Sequence, residues 1–147
     1  MNIKRILITS LFLIFSAQTM VFAQSANVSK MFKNHFHDTV ELVHQTESPI
    51  AKRMLLNDSF SKMIKAIEKI ESTASLTDDE VLQLASFKNG IIDRRDELNG
   101  SNGFDSIADE DLDEFSSFSQ DFMEQADRTV TIGVTTILLI LLILLLI

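Results

Sequence analysis

The chain has 147 residues, with no cysteine, tryptophan or tyrosine, and a formal net charge of −8 at neutral pH. Without cysteine, disulfide staples, thiol catalysis, thiolate metal sites, palmitoylation and a lipoprotein anchor are all excluded. The acidic balance argues against nucleic acid as a partner.

At the N-terminus, Lys4 and Arg5 precede an apolar run over 6–15, and Val21 and Ala23 lie at the −3 and −1 positions before Gln24. Basic start, short apolar core and small-residue exit are the three parts of a secretory signal. Residues 1–23 are therefore expected to be a signal peptide, with the mature chain starting at Gln24. An uncleaved N-terminal anchor is the alternative, although the run is short for a membrane span. Residues 24–128 form one small domain, near the lower size limit for burying a useful core. An exported domain without cysteine leans towards a bacterial envelope protein.

The periodicity across that domain is helical. Val28, Met31, Phe32, Phe36, Val40 and Val43 make a first apolar stripe. Ser48 and Pro49 then read as N-cap and first helical residue, where proline's missing donor is not needed. The second stripe runs through Ile50, Met54, Phe60, Met63, Ile64, Ile67, Ile70 and Ala74. The third helix opens on a capping box of Thr77 and Glu80, flanked by Leu76 and Val81 as a hydrophobic staple. Its face continues through Leu84, Ala85, Ile91, Ile92 and Leu98, and Asn99-Gly100 ends it. A fourth helix is expected from about Asp105, with Ile107, Leu112, Phe115, Phe118, Phe122 and Ala126 inward. No Pro or Gly interrupts the chain between Phe104 and Gly133.

Residues 130–147 carry no charge, and 14 of these 18 residues are Leu, Ile or Val. As a helix the segment reaches roughly 27 Å, close to the thickness of a bilayer core. Its summed transfer energy favours insertion by roughly 4–8 kcal/mol. Residues 129–147 are therefore expected to be a membrane anchor. The alternative is a glycolipid-attachment signal, with Ser117 and Ser119 near the attachment site and 120–128 as spacer. Sequons at Asn27, Asn57 and Asn99 accompany that alternative. Thr129, Gly133 and Thr136 place small residues along one side of the tail, one step of a helix-association pattern.

Charge is uneven along the domain, with 7 basic against 6 acidic residues over 24–75 and 4 against 15 over 76–128. The second half reads as a solubilising face, or as a docking surface for a basic partner or divalent cations. His35, His37 and His44 are the only histidines. His37, Glu41 and His44 share one helix face at metal-ligand spacing. No second helix carries histidine, so a polar surface is the better reading. Asp105, Asp109, Glu110, Asp111, Asp113 and Glu114 cluster after the third helix. They fail the calcium-loop pattern, because position 1 would fall on Arg95 or Leu98. Acidic residues opening a helix are expected from its dipole. No nucleophile motif, phosphate loop or desolvated carboxylate pair is present.

The expected fold is all-α, a small up-down-up-down bundle of four helices between a signal peptide and a transmembrane helix, with both ends of the domain at one pole. A three-helix bundle with the first helix loose is the alternative. The expected role is that of an extracytoplasmic, membrane-tethered interaction or structural protein, without catalytic, cofactor or metal residues. Its tail engages lipid, and its acidic half faces an unknown protein partner. A membrane-active protein that forms a pore or lesion is the runner-up.

Overall fold

The computed structural model describes residues 28–126, with side chains from 31 to 125, together with Leu142 and Ile143. The signal peptide, the sequon at Asn27, and Thr129, Gly133 and Thr136 all lie outside the described residues. Four helices and one 3-10 turn are present: α1 Val28–Gln45, α2 Pro49–Thr73, α3 Asp78–Asn99, the turn Asp109–Asp111, and α4 Leu112–Ala126. Among the described residues there is no strand, and no helix is long and apolar enough to cross a membrane.

The starts of α2 and α3 and the end of α3 follow the sequence signals closely. The Ser48 hydroxyl accepts from the Ala51 amide at 3.4 Å, with Pro49 opening α2. Thr77 and Glu80 exchange their hydrogen bonds, backbone amide to side chain, at 2.8 and 3.3 Å. Each satisfies a donor that a helix start leaves free. Gly100 closes α3 in the left-handed conformation at φ 66°, and a Cβ there would lie 2.9 Å from the Ser106 backbone nitrogen. Only glycine meets both demands cheaply.

Successive helices run antiparallel. Residue pairing along α1 and α4 is reversed: Lys33 meets Glu124, His37 meets Gln120 and His44 meets Asp113. Likewise Arg53 and Asn57 at the start of α2 meet the end of α3, while Glu71 meets Lys88. The first helix is packed rather than loose, since Phe32, Phe36 and Val43 are wholly buried. Both ends of the domain therefore share one pole, with the Lys33–Glu124 ion pair at 2.5 Å between them.

Phenylalanine organises the core. Phe36, Phe60 and Phe115 join α1, α2 and α4 through ring centroids 5.2 and 6.4 Å apart. Phe32, Phe87 and Phe122 join α1, α3 and α4 at 5.6 and 6.0 Å. Such rings bury large apolar area without a polar end to satisfy, which suits a small core. Gly90 permits the second set, because a Cβ there would lie 2.3 Å from the tip of Phe122. Among the described residues one hydroxyl is left over in this core: Ser119 is fully buried and its Oγ has no hydrogen-bond partner there.

Several inward assignments are corrected. Ile50 and Met54 are 74% and 68% exposed. At about 100° per residue, Met54 lies roughly opposite the face that Leu56, Phe60, Ile67 and Ile70 bury. The inward positions in the first turns of α2 are held by Lys52 and Arg53 instead. Val81 is 43% exposed, so Leu76 packs on the core without it. Phe118 is 52% exposed. The fourth helix starts at Leu112 rather than near Asp105. Arg53 accounts for the delay, because it binds the Leu98 and Ile107 carbonyls and the Asp109 carboxylate. Those bonds hold 104–108 out of helical geometry.

Candidate interaction site

The charge asymmetry of the sequence is partly resolved inside the bundle. Basic residues of α1 and α2 pair with acids of the 3-10 turn and α4: Lys33 with Glu124, Lys52 with Asp113 at 2.6 Å, and Arg53 with Asp109 at 3.0 Å. Arg94 pairs with Glu97, also at 2.6 Å. Lys52 and Arg53 are mostly shielded, but Asp113 and Asp109 are about half or more exposed, so each pair stays within about 1 kcal/mol. Part of the acidic cluster thus has a structural role, fixing α4 and its entry loop onto α2.

The rest of the cluster does not. Asp105, Glu110, Asp111 and Glu114 have no cation beside them among the described residues, and Asp105, Glu110 and Asp111 are exposed along with Glu114. Asp111 and Glu114 stand at a notch of about 340 Å³ between the end of α3 and the start of α4. Its other lining residues are Glu97, Ile107, Phe115 and Phe118. The lining of this open notch is thus three apolar residues and three carboxylates. The Arg94 guanidinium lies 5.0 Å from the Phe118 ring and 6.0 Å from Phe122, bracing α3 against α4 beside the notch. Stacked cation and ring attract each other through the ring quadrupole.

The histidines do not converge. His44 Nε2 donates to the Asp113 carbonyl at 3.2 Å, and Ser116 and Ser117 hydroxyls lie 3.3 and 3.4 Å away. Gln120 donates to His37 Nδ1 at 3.2 Å, while His37 Nε2 faces Glu41 at 3.6 Å. Both rings thus lie along the seam between α1 and α4, not on a wholly solvated face. His35 is partly buried, and that burial, with Lys62 nearby, lowers its pKa from 6.5 against the opposing pull of Asp38 and Asp58. Among the described residues no three His, Asp or Glu side chains are grouped to hold a metal ion.

Two sequon asparagines meet across the seam of α2 and α3. Asn57 and Asn99 exchange amide hydrogen bonds at 2.9 and 2.7 Å. Ser59, the hydroxyl residue of the Asn57 sequon, is buried and accepts from Thr39 at 3.1 Å. In the tail, Ile143 is partly buried against the core while Leu142 is 55% exposed.

Sequence reasoning did not single out Arg53, Lys52 or Arg94. A signal was present for Arg53: stepping back seven residues from Phe60, itself seven before Ile67, lands on it. The apolar pattern breaks there, and a basic residue on a buried stripe asks for buried acceptors. No family model, no curated protein and no solved structure matches this chain.

Proposed function

We propose that the chain is an exported, membrane-tethered helical protein that works by binding, as an interaction or structural component of the cell envelope or surface. One observation carries the reading. The two ends of the bundle lie at one pole, and the uncharged segment 130–147 follows directly after the α4 end of that pole. A bundle so built hangs from a single anchor with its other pole free. Supporting it, the charged side chains of the described domain are spent on helix–helix pairs and on an unpaired acidic surface, not on a desolvated acid–base pair. The partner is expected to be basic.

The test is the intact mass of protein extracted from membranes, together with its retention after a carbonate wash. A mature chain starting at Gln24, with the tail intact and resistant to the wash, is the expected result. A soluble protein still carrying residues 1–23 refutes the tether, and a tail replaced by glycolipid mass moves the reading to a lipid-anchored surface protein.

A second reading is favoured by the position of Ile143 against the core. A tail that packs on its own bundle suits a membrane-active protein, which stores the segment until it inserts. Dye release from liposomes separates the two. A tether does not leak, and a generic span of leucine and alanine in place of 130–147 keeps its function. Leakage that Gly133→Leu abolishes supports the membrane-active protein instead, because the larger side chain blocks close helix approach.

A further inference from the structure

The notch between α3 and α4 has an architecture that the rest of the acidic surface lacks. Scattered carboxylates on a helix face only solubilise. Here the carboxylates of Asp111 and Glu114 share one open notch with Ile107, Phe115 and Phe118, and neither has a cation partner among the described residues. Phe118 remains half-exposed although it lies in the aromatic stripe of α4, because α3 meets it only through Arg94. The neighbouring acids Asp109 and Asp113 are already neutralised by Arg53 and Lys52, which leaves Asp111 and Glu114 as the notch carboxylates open to a cation. A volume of about 340 Å³ lies at the lower end of ligand pockets, which suits one long side chain better than a cofactor.

We propose that this notch receives the arginine or lysine side chain of a basic peptide segment on a protein partner. The aliphatic stem lies on the Phe115 and Phe118 rings and on Ile107, and the cationic head reaches Asp111 and Glu114. Arg94 already shows the mode within the chain, since its guanidinium stacks on Phe118 and pairs with Glu97. The incoming group repeats the same chemistry with two further carboxylates. Long basic side chains combine the two surfaces because their stems are apolar and their heads are charged. The assignment rests on the binding reading above and names the site and chemistry of its partner.

The experiment uses the full mature chain in nanodiscs of zwitterionic lipid, with empty nanodiscs as background. The probe is a fluorescein-labelled peptide of alternating arginine, leucine, serine and glycine, with its glutamate-for-arginine counterpart as control, read by anisotropy at low and high salt. Wild type is expected to bind the basic peptide and not the acidic one, more weakly as salt rises. Phe118→Ala, which leaves the charge unchanged, and the pair Asp111→Asn with Glu114→Gln should each weaken binding by about fivefold or more. Phe118→Leu stands in should the alanine variant fail to fold. The pair Asp78→Asn with Asp79→Asn makes the same change in charge about 28 Å away along α3 and should leave binding intact. Equal loss from both charge pairs with no effect at Phe118 overturns the notch in favour of diffuse attraction. No binding by folded wild type overturns it as well. Both outcomes leave the tether reading standing, since that one fails separately, by release of the protein in the carbonate wash.

Discussion

Replacing Arg53 with methionine should cost the domain roughly 2–4 kcal/mol. The side chain is only 24% exposed and donates to the carbonyls of Leu98 and Ile107, the latter at 2.7 Å. Hydrogen bonds from a charged donor contribute about 1.5–3 kcal/mol each, but the loop that carries one acceptor is open to water and recovers part of the loss. Its ion pair with Asp109 adds less than about 1 kcal/mol, because the carboxylate is largely exposed. Methionine keeps the stem packed, so the loss reports the guanidinium alone. Arg53→Lys should recover less than half, since an ammonium is a point charge and cannot fork to two carbonyls. Asp109→Asn should cost under about 1 kcal/mol. Urea denaturation of residues 24–128 gives all three values, and proteolysis within 100–108 should accelerate in Arg53→Met. Should Arg53→Met cost no more than Asp109→Asn, the loop would not be held by this residue, and the late start of α4 would need another cause.

Ser119→Ala should raise stability by about 0.5–1.5 kcal/mol, because it deletes a buried hydroxyl without a partner and adds helix propensity; a loss in urea denaturation would show that the hydroxyl is satisfied. His35 should make stability depend on pH. Its folded pKa is lowered, so the unfolded chain binds the proton first, and the stabilisation present above about 6.5 declines as pH falls through the folded value. His35→Gln should flatten that decline below pH 6.5, and an unchanged slope in the variant would assign it to other groups.

The helices were legible because their ends are written locally. Ser48-Pro49, the Thr77–Glu80 box and Asn99-Gly100 each act within four residues of chain, so no knowledge of the rest of the molecule is needed to read them. The central turns of α2 were legible for a related reason: Phe60, Met63, Ile67 and Ile70 repeat at the helix period on a face that must be covered. The errors lie where a distant group decides. Ile50 and Met54 extend the apolar pattern, but their turns of α2 face the loop 98–109, where carbonyls and carboxylates call for Lys52 and Arg53. Phe118 completes a stripe on paper, yet α3 approaches α4 through Arg94 and leaves half the ring uncovered. The notch escaped notice because Glu97 and Glu114 are 17 residues apart in the chain. Only the turn built by Gly100 and held by Arg53 brings them to one place.

The single-pole arrangement of the ends sets a distance. Glu114 lies twelve residues before Ala126, the last residue of α4, which is about 18 Å of helix. Physiological salt screens charge with a length of about 8 Å. Were the tail to enter a bilayer as proposed, that bilayer would lie more than two screening lengths below the notch, and the negative potential of anionic headgroups would have largely decayed at that height. On the proposed tether the bundle would be a stalk: it would lift its unpaired carboxylates clear of a like-charged surface, where a basic segment would meet them without first competing with the lipid.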